Sequence, residues 1–329
     1  MADQVLIVGA TGLAGANIAL LARERGMNVR ALVRTEKDQE WLRDAGVELA
    51  AGDIRDPASL DRAMEGVDGV FHCAAVLGGT WSTVTPDEFW AVNHVGTLNV
   101  LDAARKAGAK RTVSFDTVGI FDSSFTLNER SPITLSSEVD TPYVCSKRAA
   151  FYGSLYRASL GQDIRFISPG AIFGPGPVVD RVLVPASFSS TLQQGILGKI
   201  EEYLDFPMYF SYSLDVAEVA MRAYERGEPG RRYLAVANEG VSSIGKFCNR
   251  GAELAGSPHR VREIDPHAPD APNIGTMGKF ALRKYATPYV DNSATVAALG
   301  FQLTPRDEAI RATIKWLRDV GQLPAKFDR

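Results

Sequence analysis

The sequence predicts an α/β protein built on a doubly wound parallel β-sheet, with a smaller, discontinuous lobe in the second half of the chain. Three observations carry this prediction. Short, uninterrupted apolar runs alternate with helical segments, which favours a parallel sheet covered on both faces. A glycine-rich turn joins the first strand to the first helix. The alternation stops after Pro169, where glycine, proline and aromatic residues become frequent.

Each strand is predicted from an apolar run and each helix from its capping residues. The predicted strands are Val5–Val8, Val29–Val33, Val47–Ala51, Val70–Ala75, Thr112–Phe115 and Ile164–Ser168. The predicted helices span 13–25, 36–45, 57–66, 85–108 and 142–161, and a final amphipathic helix begins at 304. Three of them start with an N-cap residue followed by proline, namely Asp56-Pro57, Thr85-Pro86 and Thr141-Pro142. Right-handed crossovers between parallel strands give the doubly wound arrangement.

Composition excludes several classes of protein. Hydrophobic residues make up 45% and charged residues 23% of the chain, so it is neither disordered nor collagen-like. No apolar run reaches the ~18–20 residues that would span a bilayer, so no membrane partner is expected. A net charge of −3 without blocks of Lys or Arg argues against nucleic-acid binding. The three cysteines are an odd, sparse set, which favours free thiols and a cytoplasmic location.

The first turn has the pattern G-x-x-G-x-x-G, formed by Gly9, Gly12 and Gly15. Glycine at these positions permits a tight turn, close approach of the backbone to a pyrophosphate, and close packing of the helix on the strand. The following helix N-terminus presents free N–H groups to the anion. The turn, including Thr11 and Leu13, is therefore predicted to bind a dinucleotide.

This motif suggests how the chain is divided. Residues 1–173 are expected to form a dinucleotide-binding Rossmann domain. A further helix–strand–helix pattern over 214–256 is expected to rejoin that domain. Residues 174–213 and 257–329 are then expected to form a substrate-binding lobe.

The residue after the second strand is basic, and this bears on the choice of cofactor. The end of that strand meets the adenosine ribose, where an acidic residue would accept hydrogen bonds from a free 2′-hydroxyl. Arg34 stands there instead, and a guanidinium pairs with a 2′-phosphate and stacks on adenine. We therefore expect NADP(H) rather than NAD(H). Asp53 and Ile54, after the third strand, are expected at the adenine edge.

Tyr143 and Lys147 form a Tyr-x-x-x-Lys motif on a predicted helix, where the i, i+4 spacing places both side chains on one face. A free phenol has a pKa near ~10. A neighbouring ammonium is expected to lower it by ~1–3 units. A proton shuttle tuned in this way is worth ~10²–10⁴ in rate. Thr117, at the end of the fifth strand, supplies a hydroxyl to hold a substrate carbonyl beside Tyr143.

Four groups of residues carry a resemblance to a known family. They are the Gly9–Gly15 turn, Gly52-Asp53-Ile54, Thr117 with Tyr143 and Lys147, and Ser168-Pro169-Gly170-Ala171-Ile172-Phe173-Gly174-Pro175-Gly176. On these residues nearly the whole chain resembles the extended short-chain dehydrogenase/reductase family. It looks most like the dihydroflavonol-4-reductase-like, NAD-dependent epimerase/dehydratase branch, because of Arg34 and the Pro169-Gly170 strand end.

The resemblance implies a reaction and a set of roles. NADPH would reduce a carbonyl, or NADP⁺ oxidise an alcohol, by hydride transfer. Thr117 would polarise the substrate oxygen, Tyr143 would transfer the proton, and Lys147 would support the phenol and hold the nicotinamide ribose. The nicotinamide site would be lined by Ala74, Ala75, Pro169 and Ile172. A homodimer joined through the helices at 86–108 and 142–161 is also implied.

Two further positions are judged against the family pattern. Asn93 lies where relatives often carry an asparagine, and we expect a structural role for it. Asp116 is a departure, because a small hydroxylated residue is common immediately before the active-site hydroxyl. The hydrogen-bond pattern around Thr117 is therefore expected to differ from that of the family.

Aromatic side chains are concentrated in two segments after the strand ends. They are Trp81, Phe89 and Trp90 in one, and Tyr203, Phe206, Tyr209, Phe210 and Tyr212 beside Met208 in the other. Ligand pockets are mostly apolar, and no cluster of Arg or Lys accompanies these residues. We expect a hydrophobic, aromatic or alicyclic small molecule as substrate, with packing between the lobes as the alternative explanation of the aromatics.

Two other functions, a sugar epimerase and a non-catalytic dinucleotide sensor or scaffold, stay open, whereas the sequence argues against a sugar dehydratase. A sugar epimerase would use the same catalytic residues, although Ala171 stands where family epimerases usually carry asparagine. A sugar dehydratase would need an Asp-Glu pair after Thr117, where Val118-Gly119 stands. A non-catalytic dinucleotide sensor or scaffold would have little need of Thr117, Tyr143 and Lys147 together. The four histidines lack metal-ligand spacing, so no metal is expected.

Overall fold

A parallel sheet forms the centre of the computed structural model, which describes residues 2–77, 84–135, 140–185, 187–205, 207–269, 271 and 289–327. The strands are β1 (Gln4–Val8), β2 (Asn28–Val33), β3 (Glu48–Ala51), β4 (Gly69–His72), β5 (Arg111–Phe115), β6 (Ile164–Ser168), β7 (Ala171–Phe173), β8 (Glu202–Leu204), β9 (Pro207–Met208), β10 (Phe210–Tyr212), β11 (Arg232–Leu234), β12 (Ser242–Ser243) and β13 (Arg262–Ile264). The central sheet has the order β3-β2-β1-β4-β5-β6-β11, and all its pairs are parallel. The predicted doubly wound fold is confirmed.

Helices connect these strands. They are α1 (Leu13–Glu24), α2 (Glu40–Asp44), α3 (Pro57–Ala63), α4 (Pro86–Phe89), α5 (Thr97–Ala107), α6 (Pro142–Ser159), α7 (Val179–Val182), α8 (Phe188–Ile196), α9 (Ser213–Arg226), α10 (Ile244–Ala255), α11 (Ser293–Leu299) and α12 (Arg306–Asp319). A π-helical turn, Trp90–Gly96, joins α4 to α5 without a break. None of the helices in the described part of the chain is long and apolar enough to cross a membrane.

β1 is continuously apolar from Val5 to Val8 because both faces of the sheet are covered there. Along β1, Val5 and Ile7 face the first core, which is shared with α1 and α9. Leu6 and Val8 face the opposite side of the sheet, where they pack against α3 and α5. The strand order reverses between β1 and β4, and crevices of this fold open at the carboxyl ends of the strands beside that point.

A second core lies outside the sheet domain. Its short strands pair as β7 with β10, β8 with β13 and β9 with β12. Phe173, Phe210 and Phe247 pack together there, with the rings of Phe210 and Phe247 stacked 4.0 Å apart. The apolar stripe of the last helix, Ile310, Ile314 and Leu317, completes this core.

The segment 214–256 contributes to both the central sheet with its first core and the second core. α9 packs on α1, and β11 pairs with β6 at the edge of the central sheet. α10, however, packs on α8 and α12 in the second core. The domain boundaries expected from the sequence remain a prediction.

Candidate active site

The Gly9–Gly15 turn lies between β1 and α1, and its three glycines differ in what a side chain would meet. Gly9 has φ +99°, and a methyl group there would come within 2.7 Å of the Ala74 nitrogen. Gly12 is the N-cap of α1 and has no side chain to bond the helix N–H groups. A methyl group on Gly15 would overlap the Gly9 carbonyl. The turn is a backbone cradle at an open helix N-terminus, which suits a phosphate.

The predicted adenosine residues lie along the next two strand ends. Arg34 follows β2 and is exposed. Arg55 donates hydrogen bonds to Asp53, with a 2.6 Å ion pair, and these bonds lower the Asp53 pKa; the charge of Arg34 contributes to the same shift. Ile54 is buried, and its carbonyl accepts a 3.0 Å hydrogen bond from Asn99 on α5. Arg34 and Asp53 are thus electrostatically coupled at one edge of the sheet.

The predicted nicotinamide residues follow β4 and β6. Ala74 and Ala75 are half-buried, and Ala74 lies against Gly9 of the turn. The carbonyl of the buried Pro169 accepts a 3.0 Å hydrogen bond from the Val118 N–H. Ile172 is half-buried and packs against the first core. The fold therefore brings the end of β4 to the glycine turn and the end of β6 to the Thr117 loop.

Thr117 and Tyr143 come together although they lie on different elements. Thr117 directly follows Asp116 at the end of β5, is 9% exposed, and accepts a 3.1 Å hydrogen bond from the Gly119 N–H. Tyr143 lies in the first turn of α6, with its ring edge-on to Phe89 at 6.3 Å. Burial raises the pKa of Tyr143 to about 12, although hydrogen bonding with Thr117 opposes this. The expected lowering of that pKa by Lys147 is not found, because the desolvation of the phenol prevails.

Lys147 lies one turn further along α6 and is almost completely buried. Its Nζ donates a 2.6 Å hydrogen bond to the carbonyl of Phe115, at the end of β5. Burial lowers the pKa of Lys147 to about 8, while Asp116 and Cys73 oppose that shift. The carboxyl ends of β4 and β5 and the first turns of α6 therefore surround one ammonium group.

Asn93 lies in the π-helical turn and holds the chain beyond β4. Its Oδ1 accepts from the Val76 N–H at 2.8 Å, and its Nδ2 donates to the Val76 carbonyl at 3.0 Å. Its Nδ2 also lies 3.4 Å from the Ser146 hydroxyl on α6. Asn93 is completely buried, so these contacts support the structural role expected for it.

The structure adds Arg181 and Trp41 to the residues around the glycine turn. Both line a small cleft with Thr11, Gly12 and Leu13. Arg181 donates a 3.1 Å hydrogen bond to the Asp38 carbonyl in the loop after β2, and the buried Trp41 Nε1 has no hydrogen-bond partner within the described part of the chain. Sequence reasoning missed Arg181 because it lies on α7, more than 160 residues along the chain from the turn.

Most of the predicted pocket aromatics pack elsewhere. Phe210 and Tyr212 lie against Phe173 in the second core, because the short β10 strand is paired with β7. Phe89 contacts a catalytic candidate, Tyr143. Trp81 and Phe206 lie outside the described residues. Packing in the protein core therefore explains many of these aromatic residues, rather than the lining of a substrate pocket.

A surface cleft of about 450 Å³ lies away from these residues, between α10 and the start of α12. Its charges are paired with one another: Arg250 bonds both Asp307 and Glu253. No group of three or more His, Cys, Asp or Glu suited to a metal ion occurs among the described residues. The catalytic candidates therefore remain Thr117, Tyr143 and Lys147 at the carboxyl edge of the sheet.

Comparison with known proteins fits this geometry. The model of the NAD-dependent epimerase/dehydratase family matches residues 5–235, which contain the glycine turn, Thr117, Tyr143 and Lys147. The chain belongs to the NAD-dependent epimerase/dehydratase family. It is an enzyme of the extended short-chain dehydrogenase/reductase type, as its resemblance implied.

Individual relatives span most of the chain. It is 31% identical to sterol demethylase protein B of Methylococcus capsulatus, covering 79% of this chain and 77% of that protein. It is 29% identical to a putative dihydroflavonol 4-reductase of Synechocystis, covering 98% and 96%. Its fold is similar to a nucleoside-diphosphate-sugar epimerase of Pseudomonas aeruginosa, with a TM-score of 0.77, 21% identity, and coverage of 98% and 99%.

Proposed function

We propose that the protein is an NADP(H)-dependent oxidoreductase that interconverts a carbonyl and an alcohol on a hydrophobic small molecule. The observation that carries this proposal is the meeting of Thr117, Tyr143 and Lys147 at the sheet edge that also holds the Gly9–Gly15 turn. A scaffold that only bound the dinucleotide would not need this arrangement. Three free cysteines favour a reducing, cytoplasmic location.

The turn fits a dinucleotide, because side chains on Gly9 or Gly15 would fill it and the N-terminus of α1 has no side-chain cap. A dinucleotide held at the Gly9–Gly15 turn would supply or accept the hydride. The Thr117 hydroxyl and the Tyr143 phenol hold the substrate oxygen, and Tyr143 donates its proton to that oxygen as the carbonyl is reduced. Since the pKa of Tyr143 is raised to about 12, the phenol is protonated at neutral pH and ready to donate. Lys147 presents its charge beside them.

Arg34 supports NADP(H) over NAD(H). It is exposed at the end of β2, and it is electrostatically coupled to Asp53 on the neighbouring strand end. Arg181 supplies a second guanidinium near the turn. We expect NADPH to bind more tightly than NADH, and Arg34→Gln to remove most of that preference. Arg105→Gln, on the last turn of α5, is the matched control. Equal affinity of the native enzyme for the two cofactors would refute the assignment.

The substrate class is supported by two relatives whose names refer to a sterol and a dihydroflavonol, both hydrophobic ring systems. The decisive experiment is a screen of aromatic and alicyclic ketones, aldehydes and alcohols with NADPH and NADP⁺. Reduction should consume NADPH in a one-to-one ratio with product. An epimerase, the second candidate because of the family match, would convert its substrate without net consumption of cofactor.

A further inference from the structure

A buried polar cluster lies beneath the catalytic residues. Ser114 on β5 pairs with Phe166 on β6, and Phe166 pairs with Arg232 on β11. Side chains two residues apart on a strand share a face. Asp116 and Ser168 therefore lie side by side, on the face to which Arg232 also projects. The Asp116 N–H donates to the Ile167 carbonyl at 3.0 Å, which fixes the register at the strand end.

The polar atoms of this cluster are buried but incompletely bonded. Among the described residues, both carboxylate oxygens of Asp116, the Ser168 Oγ and the Arg232 Nη1 have no hydrogen-bond partner of normal geometry, although Ser168 lies near enough to Asp116 to lower its pKa. Buried polar groups are normally satisfied, so four unsatisfied atoms on three neighbouring strands need an explanation. Arg232 is held by other contacts, since its Nη2 donates to the Ser131 carbonyl and its guanidinium covers the ring of Phe121 at 4.7 Å.

The charges around Asp116 come from two elements. Lys147 and Tyr143 project from α6, and Arg232 projects from β11. Around Lys147 the titratable groups are Asp116, Cys73 and His72. The Cys73 thiol and the His72 imidazole are held neutral by burial, which raises the pKa of Cys73 and lowers the pKa of His72. Asp116 is therefore the group that can supply negative charge to Lys147.

We propose that Asp116 is a positioning residue of the active site whose carboxylate is the counter-ion that keeps the buried Lys147 protonated. The inference rests on the proposed catalytic role of Lys147. The Lys147 ammonium bonds the carbonyl of Phe115, the residue immediately before Asp116, so the two charges are anchored to the same strand end. An ammonium buried without a counter-charge releases its proton at a lower pH. Asp116, in place of the family's small hydroxylated residue, prevents that release at neutral pH.

The experiment replaces the charge and follows Lys147 directly. Lysine labelled with ¹³C at Cε is titrated by NMR in the NADP⁺-bound enzyme, and the Lys147 signal is assigned by its absence in Lys147→Met. We expect Asp116→Asn to lower the Lys147 midpoint by roughly one unit, the effect of losing one opposite charge nearby. Ser114→Ala, a buried polar residue on the same face of β5, is the matched control and should leave the midpoint unchanged.

The same variant has a kinetic consequence. With the Lys147 pKa at about 8, a one-unit fall reduces its protonated fraction at pH 8 roughly fivefold. The kcat for reduction should fall by about that factor and recover below pH 7, with little change in the substrate KM. An unchanged or higher Lys147 midpoint in Asp116→Asn would overturn the proposal. If that variant does not fold, the midpoint in Asp116→Ser decides the same question. Absence of any turnover would count against the proposed function alone, because the titration needs no substrate.

Discussion

At the scale of single residues, desolvation determines the pKa values of the ionisable groups in the candidate active site. Burial raises the pKa of Tyr143 and lowers that of Lys147, so both groups are biased toward their neutral states. A neutral phenol suits proton donation during carbonyl reduction, whereas alcohol oxidation would have to begin from the phenolate.

Replacement of Tyr143 by phenylalanine tests the assigned proton donor. The ring and its packing on Phe89 are preserved, so the fold and NADPH affinity should remain, while kcat should fall by ~10²–10⁴ because general acid catalysis is lost. Tyr152→Phe, a half-exposed tyrosine on the same helix, is the control and should keep full activity. Stopped-flow measurement of NADPH oxidation checks both. Unchanged turnover in Tyr143→Phe would remove Tyr143 from the mechanism.

Asp116 should also make stability depend on pH. Burial raises its pKa from 3.8 to about 6, so the folded state binds more protons than the unfolded chain between these values. Its contribution to stability is complete below pH 3.8 and is lost as the pH rises through 6. Between pH 4.5 and pH 7, the free energy of unfolding of Asp116→Asn should therefore rise by about 2 kcal/mol relative to that of the native protein. Urea denaturation across this range measures the difference, and a constant difference would contradict the shift.

At the scale of elements, two substitutions in the glycine turn should affect the stability of the protein and its affinity for the cofactor to different extents. Gly12 has room for a methyl group, whose nearest neighbour would be the Gly9 carbonyl at 3.5 Å, whereas a methyl group on Gly15 would overlap that carbonyl. Gly15→Ala should therefore lower the free energy of unfolding by ~1–3 kcal/mol. Gly12→Ala should cost less than about 1 kcal/mol but weaken NADPH binding more than tenfold, because the methyl group would face the phosphate. Equal stability losses would contradict this distinction.

The N-cap of α6 connects helix stability to catalysis. The Thr141 hydroxyl accepts a 3.2 Å hydrogen bond from the Val144 N–H and so fixes the turn that carries Tyr143. Thr141→Ala should cost ~1 kcal/mol and lower kcat several-fold. Asp56→Ala removes the equivalent cap of α3, where Asp56 accepts from the Ala58 N–H at 3.0 Å, and should cost similar stability without affecting kcat. Identical kcat values in the two variants would exclude this positioning effect.

The elements differ in how far their own sequence determines them. The apolar run Val5–Val8 predicts β1, and the Thr141-Pro142 cap predicts the start of α6, because both signals lie within the element itself. By contrast, α8 lies in a segment without a clear repeat and is held by tertiary packing against α10. The helix predicted over 36–45 begins only at Glu40, because Asp38 has φ +59°. Local sequence signals therefore fail to predict a helix or its first residue where tertiary packing or a single backbone angle determines it.

At the scale of the whole molecule, the candidate site joins residues that no local pattern connects. Thr117 and Tyr143 could be paired by topology, because strand ends and helix starts share one edge of a parallel sheet. The position of Arg181 depends on how the second core packs against α1, and the unsatisfied atoms beside Asp116 depend on the register of three strands. Sequence motifs are therefore sufficient to identify the catalytic candidates. The charges and buried polar groups around them can be identified only from the packed structure.

An apolar stripe runs along the outer face of α6. Tyr152, Leu155, Tyr156 and Leu160 stand at positions i, i+3, i+4 and i+8, which share one helical face, and their exposed fractions lie between 39% and 70%. Val95, on the neighbouring π-helical turn, is also exposed. These side chains belong to the two helical segments, 86–108 and 142–161, through which the family resemblance implies a homodimer. We propose that a second copy of the chain covers this stripe.

Charge placed on the stripe should separate the two copies. Leu155→Glu combined with Tyr156→Glu would bury unpaired carboxylates in the interface, which is strongly unfavourable. The native protein should elute near twice the 35.6 kDa of one chain in size-exclusion chromatography with light scattering, and the variant near 35.6 kDa. Leu214→Glu, a similarly exposed leucine on α9, should remain dimeric. Because the same helix carries Tyr143 and Lys147 on its inner side, the monomeric variant should also lose part of its kcat. A native protein that is monomeric at micromolar concentration would rule out this interface.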